Sequence, residues 1–296
     1  MNLLITGAWA DAKEHLSQIE SMGHIVKHMQ QETDELPCTY DWVEGVICNG
    51  LFLHHPISLF TNLHYIQLTS AGSDRIPMKD VRSRGIEIHN ARGVYSVPMA
   101  EYAVAGVLQI FKGMEQFREQ QKRHKWIKNR KIRELAGSRV LIIGCGSVGT
   151  ECAKRFKAFG CEVVGIDLFV RNDSRYDKIV GIETIDEELP GSDVVVLTVP
   201  LTDETNGLID AKRLALIGDQ GILVNIARGG IVEQKALEDW DGYAVLDVFE
   251  NEPLEGESRL WKKDKMILTP HNSFIGDGNS DRLAKVIIHN LKEKSG

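Results

Sequence analysis

At 296 residues the chain exceeds the roughly 100–150 of a typical single domain, so two domains are expected. Its 43% hydrophobic and 26% charged residues are ordinary for a globular protein. A formal net charge of −7 argues against a protein built chiefly to neutralise nucleic-acid phosphates.

In chain order, the opening MNLLITGAWADAKEH has only a short apolar run before charges, and reads as a strand rather than a signal peptide. LLITG (3–7), HIVKHM (24–29), EGVICNG (44–50), HYIQLTS (64–70) and IEIHN (86–90) read as strands. AKEHLSQIESMG (12–23) and PMKDVRSRG (77–85) read as helices between them. A long helical stretch, PMAEYAVAGVLQIFKGMEQFREQQ (98–121), then joins this series to a second one. That series runs through RVLIIG (139–144), CEVVGID (161–167), DVVVLTVP (193–200), GILVNIA (221–227), YAVLDVF (243–249) and MILTP (266–270). Continuous rather than alternating apolar strands, separated by helices, indicate parallel sheets covered on both faces. The fold class is therefore α/β, with two doubly wound domains. The final SDRLAKVIIHNLKEK (280–294) is an amphipathic helix with no strand after it.

No run approaches the ~18 apolar residues of a membrane span, so no membrane partner is expected. The five cysteines, Cys38, Cys48, Cys145, Cys152 and Cys161, form no C-x-x-C pair. All but Cys38 lie in or beside apolar runs, as fits reduced thiols in a cytoplasmic protein. The basic stretch 118–135 reads as a solvated helix face and loop, since Trp126 alone does not supply the aromatic context of a nucleic-acid site.

Gly144, Gly146 and Gly149 form G-x-G-x-x-G directly after the apolar VLII. The first glycine permits a tight turn, and the second lets backbone approach a dinucleotide diphosphate. The third lets helix and strand pack closely, with helix N-terminal amides facing the anion. The next strand ends in Asp167, 18 residues past Gly149, where an acid accepts from the adenosine ribose and repels a 2′-phosphate. NAD is thus expected over NADP, although Arg171 stands four residues on.

Ligands of doubly wound folds lie beyond the carboxyl ends of the strands. Arg228 follows one such end, Asp247, Glu250 and Glu252 another, and His271 a third. Together they supply what reduction of a 2-oxo acid requires. An arginine fork grips the carboxylate and polarises the oxo group. A histidine delivers a proton to the forming alkoxide. A neighbouring carboxylate favours the imidazolium and fixes which ring nitrogen faces substrate.

With these residues placed, the chain resembles the D-isomer-specific 2-hydroxyacid dehydrogenase family over nearly its full length. The match is carried by LTSAGSD (68–74), NARGVYSVPMAEYAVAGVL (90–108), ELAGSRVLIIGCGSVG (134–149), VVVLTVPLTDETNGLI (194–209), LVNIARGGIVEQKAL (223–237), AVLDVFENEPL (244–254) and LTPHNS (268–273). The resemblance implies a discontinuous, flavodoxin-like substrate domain (1–94 and 272–296) and a Rossmann NAD-binding domain (95–271), with the active site in the cleft between them. It also explains why the glycine turn comes only after residue 140.

By position, Arg228, Glu252 and His271 match the family's catalytic triad, Glu252 being favoured over Glu250 because it directly precedes Pro253. The amides of Ser70, Ala71 and Gly72 match the loop that binds substrate carboxylate, and Tyr95 a site that lines the substrate pocket. Ser147 and Val148 match residues whose amides meet the diphosphate. Thr198, Pro200 and Ala227 match cofactor-binding positions, and Asp247 the residue facing the nicotinamide carboxamide. Thr198 stands where many members carry histidine, HNSF departs from the usual residues after the catalytic histidine, and Tyr95 is larger than the group often found there.

The implied function is hydride transfer between NAD(H) and a small D-2-hydroxy acid or its 2-oxo form, in a homodimer built on the long helix and with no metal. The alternative is a non-catalytic NAD(H)-responsive binding protein of the corepressor type. The family's formate dehydrogenase branch pairs its histidine with glutamine, so Glu252 argues against it.

Overall fold

Apolar runs of four or five residues become central strands because parallel pairing buries both of their faces. In the computed structural model, which describes residues 1–293, the first series forms β1 (Asn2–Thr6), β2 (Ile25–Met29), β3 (Gly45–Cys48), β4 (Tyr65–Leu68) and β5 (Glu87–His89). They pair in the order β2-β1-β3-β4-β5, every ladder parallel. Adjacent residues of β1 take opposite faces: Leu4 packs with Val46 and Ile66, while Leu3 and Ile5 pack with Ile47 and Tyr65.

The helix Asn279–Lys292 supplies Leu283, Ala284, Ile287, Ile288 and Leu291 to that second face. Their i, i+4, i+8 spacing forms the apolar stripe. Arg282 Nε donates to the Val94 carbonyl at 2.7 Å and fixes the helix on the same unit. The unit comprises Met1–Tyr95 and the segment from Gly276.

The other unit, Ser96–Ile275, holds a second parallel sheet. Its strands are β6 (Arg139–Ile143), β7 (Glu162–Asp167), β8 (Lys178–Gly181), β9 (Val194–Leu197), β10 (Ile222–Asn225), β11 (Tyr243–Leu246) and β12 (Met266–Leu268). The order is β12-β11-β10-β9-β6-β7-β8, so β6 and β9 are central and the chain reverses direction across the sheet between them. Val140 and Ile142 of β6 face one core, which includes the helices Ser96–Phe111 and Ser147–Ala158, while Leu141 and Ile143 face the other. A Cβ built on Gly106 would lie 2.7 Å from Val245, so only glycine lets the helix Ser96–Phe111 approach β11 this closely.

Both parallel doubly wound sheets of the sequence reading are present. Three details differ from it. The strand β8 is an additional edge strand; its four residues follow a charged segment, and so short a run carries no periodicity. The stretch 98–121 is two helices, Ser96–Phe111 and Met114–Lys122, because Gly113 takes φ of +60° and turns the chain. The first of these is a packed layer of the second unit rather than a connector.

Candidate active site

β6 delivers the chain into the glycine turn, where Gly144 has φ of +101° and a Cβ would lie 2.8 Å from the Val199 backbone nitrogen. A Cβ on Gly149 would stand 2.0 Å from the Gly144 carbonyl oxygen, so the turn and the helix Ser147–Ala158 pack through bare backbone. Nothing lies within 4 Å of a Cβ on Gly146, which leaves open space over the turn where Ser147 and Val148 begin the helix. A glycine cradle open on one side, under helix N-terminal amides, fits a dinucleotide diphosphate.

Asp167, at the end of β7, accepts from the Cys145 amide at 2.7 Å and the Phe169 amide at 3.0 Å. Arg171 closes the other side of the turn. Its Nη2 donates to the Cys145 carbonyl at 2.5 Å, and its Nη1 lies 3.9 Å from Asp167. Thr198 donates its hydroxyl to the Gly144 carbonyl at 2.6 Å, so it stabilises the turn itself. Pro200 is exposed at the rim just beyond β9. The Cys145 thiol is buried beneath the turn, and burial pushes its pKa up to about 11, which leaves it a packing group rather than a nucleophile.

Beyond β10, buried Asn225 organises the segment that carries Arg228. Its side chain accepts from the Ala227 amide at 3.1 Å and donates to the Arg228 carbonyl at 3.0 Å. Arg228 is half-buried, and its Nη1 donates to the Ala227 carbonyl at 2.7 Å. A Cβ on Gly229 would overlap the Phe249 carbonyl carbon at 1.8 Å, so the Arg228 turn lies against the segment that leads to Glu252. Glu252 accepts from the Phe249 amide through Oε1 at 3.1 Å, and its Oε2 lies 2.7 Å from His271 Nδ1. The structure thus brings the Arg228 turn, Glu252 and His271 to one rim. Glu250 is directed away and accepts from the Gln234 amide at 2.9 Å.

His271 has φ of +51°, a left-handed backbone that a non-glycine residue adopts only when its surroundings impose it. Asp247 imposes it. The Asp247 carbonyl accepts from the His271 amide at 2.8 Å, and its fully buried carboxylate accepts from the Asn272 and Ser273 amides, each at 2.8 Å. The Thr269 hydroxyl donates to the same carboxylate at 2.7 Å. Phe274 meets the imidazole edge-on, with ring centroids 5.9 Å apart. The His271 and Glu252 side chains keep 40% and 35% of their surfaces exposed, open enough to meet a ligand.

In the first unit, the carbonyls of Ser70, Ala71 and Gly72 accept respectively from the Ala91 amide, the Asn90 side chain and the Ser70 hydroxyl. Among the described residues the amides of these three positions have no protein acceptor, which is the condition for an anion-binding loop. Tyr95 donates its hydroxyl to the Thr69 carbonyl beside that loop, and burial raises its pKa.

Two supporting residues, Asn225 and Thr269, are missed by the sequence reading. The available signal is a polar residue at the end of an apolar strand run. No group of three or more potential metal ligands is present among the described residues. Nor is any helix among them long and apolar enough to cross a membrane.

The chain is similar to known proteins in both sequence and fold. The sequence profile of the D-isomer specific 2-hydroxyacid dehydrogenase NAD-binding domain matches residues 104–273. A glyoxylate/hydroxypyruvate reductase of Arabidopsis thaliana is 30% identical over 80% of this chain and 74% of its own length. A D-isomer specific 2-hydroxyacid dehydrogenase family protein from Aeromonas salmonicida superposes with a TM-score of 0.84 at 29% identity, over 97% of this chain and 93% of that one. The D-lactate dehydrogenase of Aquifex aeolicus, solved with NAD and lactic acid, superposes with a TM-score of 0.79 at 25% identity, over 99% and 95%. The chain is therefore a nicotinamide-dependent dehydrogenase and belongs to the D-isomer specific 2-hydroxyacid dehydrogenase family.

Proposed function

We propose that the protein reduces a small 2-oxo acid to its D-2-hydroxy acid, with Arg228 as the substrate-binding cation, His271 as the acid/base and Glu252 as its partner. The observation that carries this reading is the 2.7 Å contact between His271 Nδ1 and Glu252 Oε2. An ionised carboxylate only accepts, so Nδ1 carries a hydrogen and the acid/base role falls to Nε2.

Reduction adds a hydride to the oxo carbon and a proton to the oxo oxygen. A bound nicotinamide supplies the hydride. His271 Nε2 donates the proton as negative charge develops on the oxygen, and in the reverse direction it removes the hydroxyl proton. Arg228 holds the carboxylate and polarises the oxo group through two parallel N–H donors. The amides of Ser70, Ala71 and Gly72 are assigned to the substrate carboxylate, and Tyr95 to the pocket wall beside them.

In the same proposal Gly144, Gly146, Ser147, Val148 and Gly149 receive the diphosphate. Pro200 and Ala227 line the rest of the cofactor site, with Thr198 supporting the turn; Asp247, expected from the sequence to face the nicotinamide, is fully buried and instead holds the His271 turn. NADH is favoured over NADPH because the Asp167 carboxylate repels a 2′-phosphate more than Arg171, 3.9 Å away, offsets. A homodimer and a reducing, cytoplasmic setting complete the proposal. The helix Met114–Lys122 buries none of its residues and is followed by Trp126, 96% exposed, on the segment proposed to meet the second copy.

The test is a panel of glyoxylate, hydroxypyruvate, pyruvate and branched 2-oxo acids, followed by NADH and NADPH absorbance. At least one acid is expected to be reduced, faster with NADH, to a product of D configuration. Binding of NADH without turnover of any acid contradicts the proposal and favours a nucleotide-responsive binding protein.

A further inference from the structure

Asp247 orders the His271 turn, and the hydrogen bonds that reach Asp247 begin on a different layer of the unit. Tyr102, on the helix Ser96–Phe111, donates its hydroxyl to Thr269 Oγ1 at 2.5 Å. Thr269 donates in turn to Asp247 Oδ1 at 2.7 Å. The direction is fixed. Thr269 points its one hydrogen at Asp247 Oδ1 and so keeps its lone pairs for Tyr102. The Tyr102 phenol stays a donor, because burial raises its pKa and the nearby Asp247 charge raises it further.

Four positions on from Tyr102, Gly106 sits against Val245 of β11, and this contact sets the helix over the strands that lead to Asp247 and Thr269. Tyr102 is therefore presented by a rigid element. We propose that Tyr102 is a positioning residue for the acid/base. Through Thr269 and Asp247 it holds the left-handed His271 turn in the geometry that pairs Nδ1 with Glu252.

The relay explains how a buried carboxylate is kept oriented when two of its acceptor sites already serve the Asn272 and Ser273 amides. Without the Tyr102 hydroxyl, Thr269 still donates to Asp247 but is no longer held from the helix Ser96–Phe111. The third donor of Asp247 is then less firmly placed, and the strained φ of His271 is less strongly over-determined.

The inference rests on the acid/base role of His271, and the experiment separates the two. Tyr102→Phe, Thr269→Val, Thr269→Ser, the double variant Tyr102→Phe/Thr269→Val and His271→Gln are compared in reduction of the 2-oxo acid that the wild type turns over fastest. Tyr102→Phe is expected to lower kcat about tenfold, the scale of one lost hydrogen bond in a network. KM for NADH is expected to stay unchanged, and the solvent deuterium isotope effect on kcat to rise as proton donation becomes limiting. Thr269→Ser should keep wild-type kcat. Thr269→Val should lose kcat like Tyr102→Phe, and the double variant should be no slower than Thr269→Val alone.

Wild-type kcat and isotope effect in Tyr102→Phe, or additive losses in the double variant, overturn the relay. If Tyr102→Phe does not fold, the contrast between Thr269→Ser and Thr269→Val decides in the same way, since equal kcat in both overturns it. Loss in His271→Gln with none in Tyr102→Phe removes the relay alone. Unimpaired turnover in His271→Gln removes the acid/base reading and the relay with it.

Discussion

His271→Gln is expected to lower kcat for 2-oxo acid reduction by about 10²–10⁴-fold, the usual contribution of a positioned general acid. Glutamine approximates the size of the ring and keeps a hydrogen-bonding end, but it has no proton to release at neutral pH. The alkoxide must then be protonated by water. The dissociation constant of NADH, read by fluorescence, should stay within about threefold, because the glycine turn and Asp167 lie on β6 and β7 while His271 follows β12. The residual rate should depend on buffer acid concentration, as solvent species take over the donation. A rate near that of the wild type from acid to alkaline pH would show that another group supplies the proton.

Arg228→Ala is expected to reduce kcat/KM by about 10³-fold, or roughly 4 kcal/mol of transition-state binding at 1.36 kcal/mol per decade. The estimate follows from the loss of charge-assisted donors at the oxygen where negative charge develops. Because the oxo group draws on Arg228 more as it becomes an alkoxide, kcat as well as KM should suffer. Arg228→Lys should recover only part of the activity, since an ammonium cannot offer two parallel donors. NADH affinity should persist in both variants. An unchanged kcat/KM in Arg228→Ala removes the residue from its assigned role.

Much of the fold is legible in the sequence for a simple reason. A parallel strand is buried on both faces, so VLII, VVVL and ILVN stand out as unbroken apolar runs, and their spacing by helix-length segments implies the double winding. The glycine turn is equally visible, because only glycine tolerates the approach of Gly144 to Val199 and of Gly149 to Gly144. Strand β8 is not legible, because four residues at a sheet edge have too little apolar surface to mark themselves. The division at Gly113 is hidden inside a composition that favours helix on both sides.

The rim itself is only half visible. Arg228, Glu252 and His271 can be picked out as polar residues after strand ends, and only the family resemblance separates Glu252 from Glu250, by its place before Pro253. What holds them is not visible. Asn225 steadies the Arg228 segment, Thr269 ties into Asp247, and Tyr102 reaches Thr269 across 167 positions of sequence. A polar side chain at a strand end shows that something must satisfy it. Which residue does so is set by the packing of separate layers, and local pattern carries no information about that.

Reduction as proposed requires one arrangement, in which the Arg228 guanidinium and the His271 imidazole serve the same oxo group. The most direct test is a crystal structure of the protein soaked with NADH and oxamate, a carboxylate-bearing mimic of a 2-oxo acid. Oxamate is expected with its carboxylate and carbonyl oxygens on Arg228, and His271 Nε2 within hydrogen-bond distance, about 2.6–3.2 Å, of that carbonyl oxygen. Oxamate bound away from Arg228, or an imidazole whose Nε2 points elsewhere while Nδ1 keeps its contact with Glu252, would contradict it.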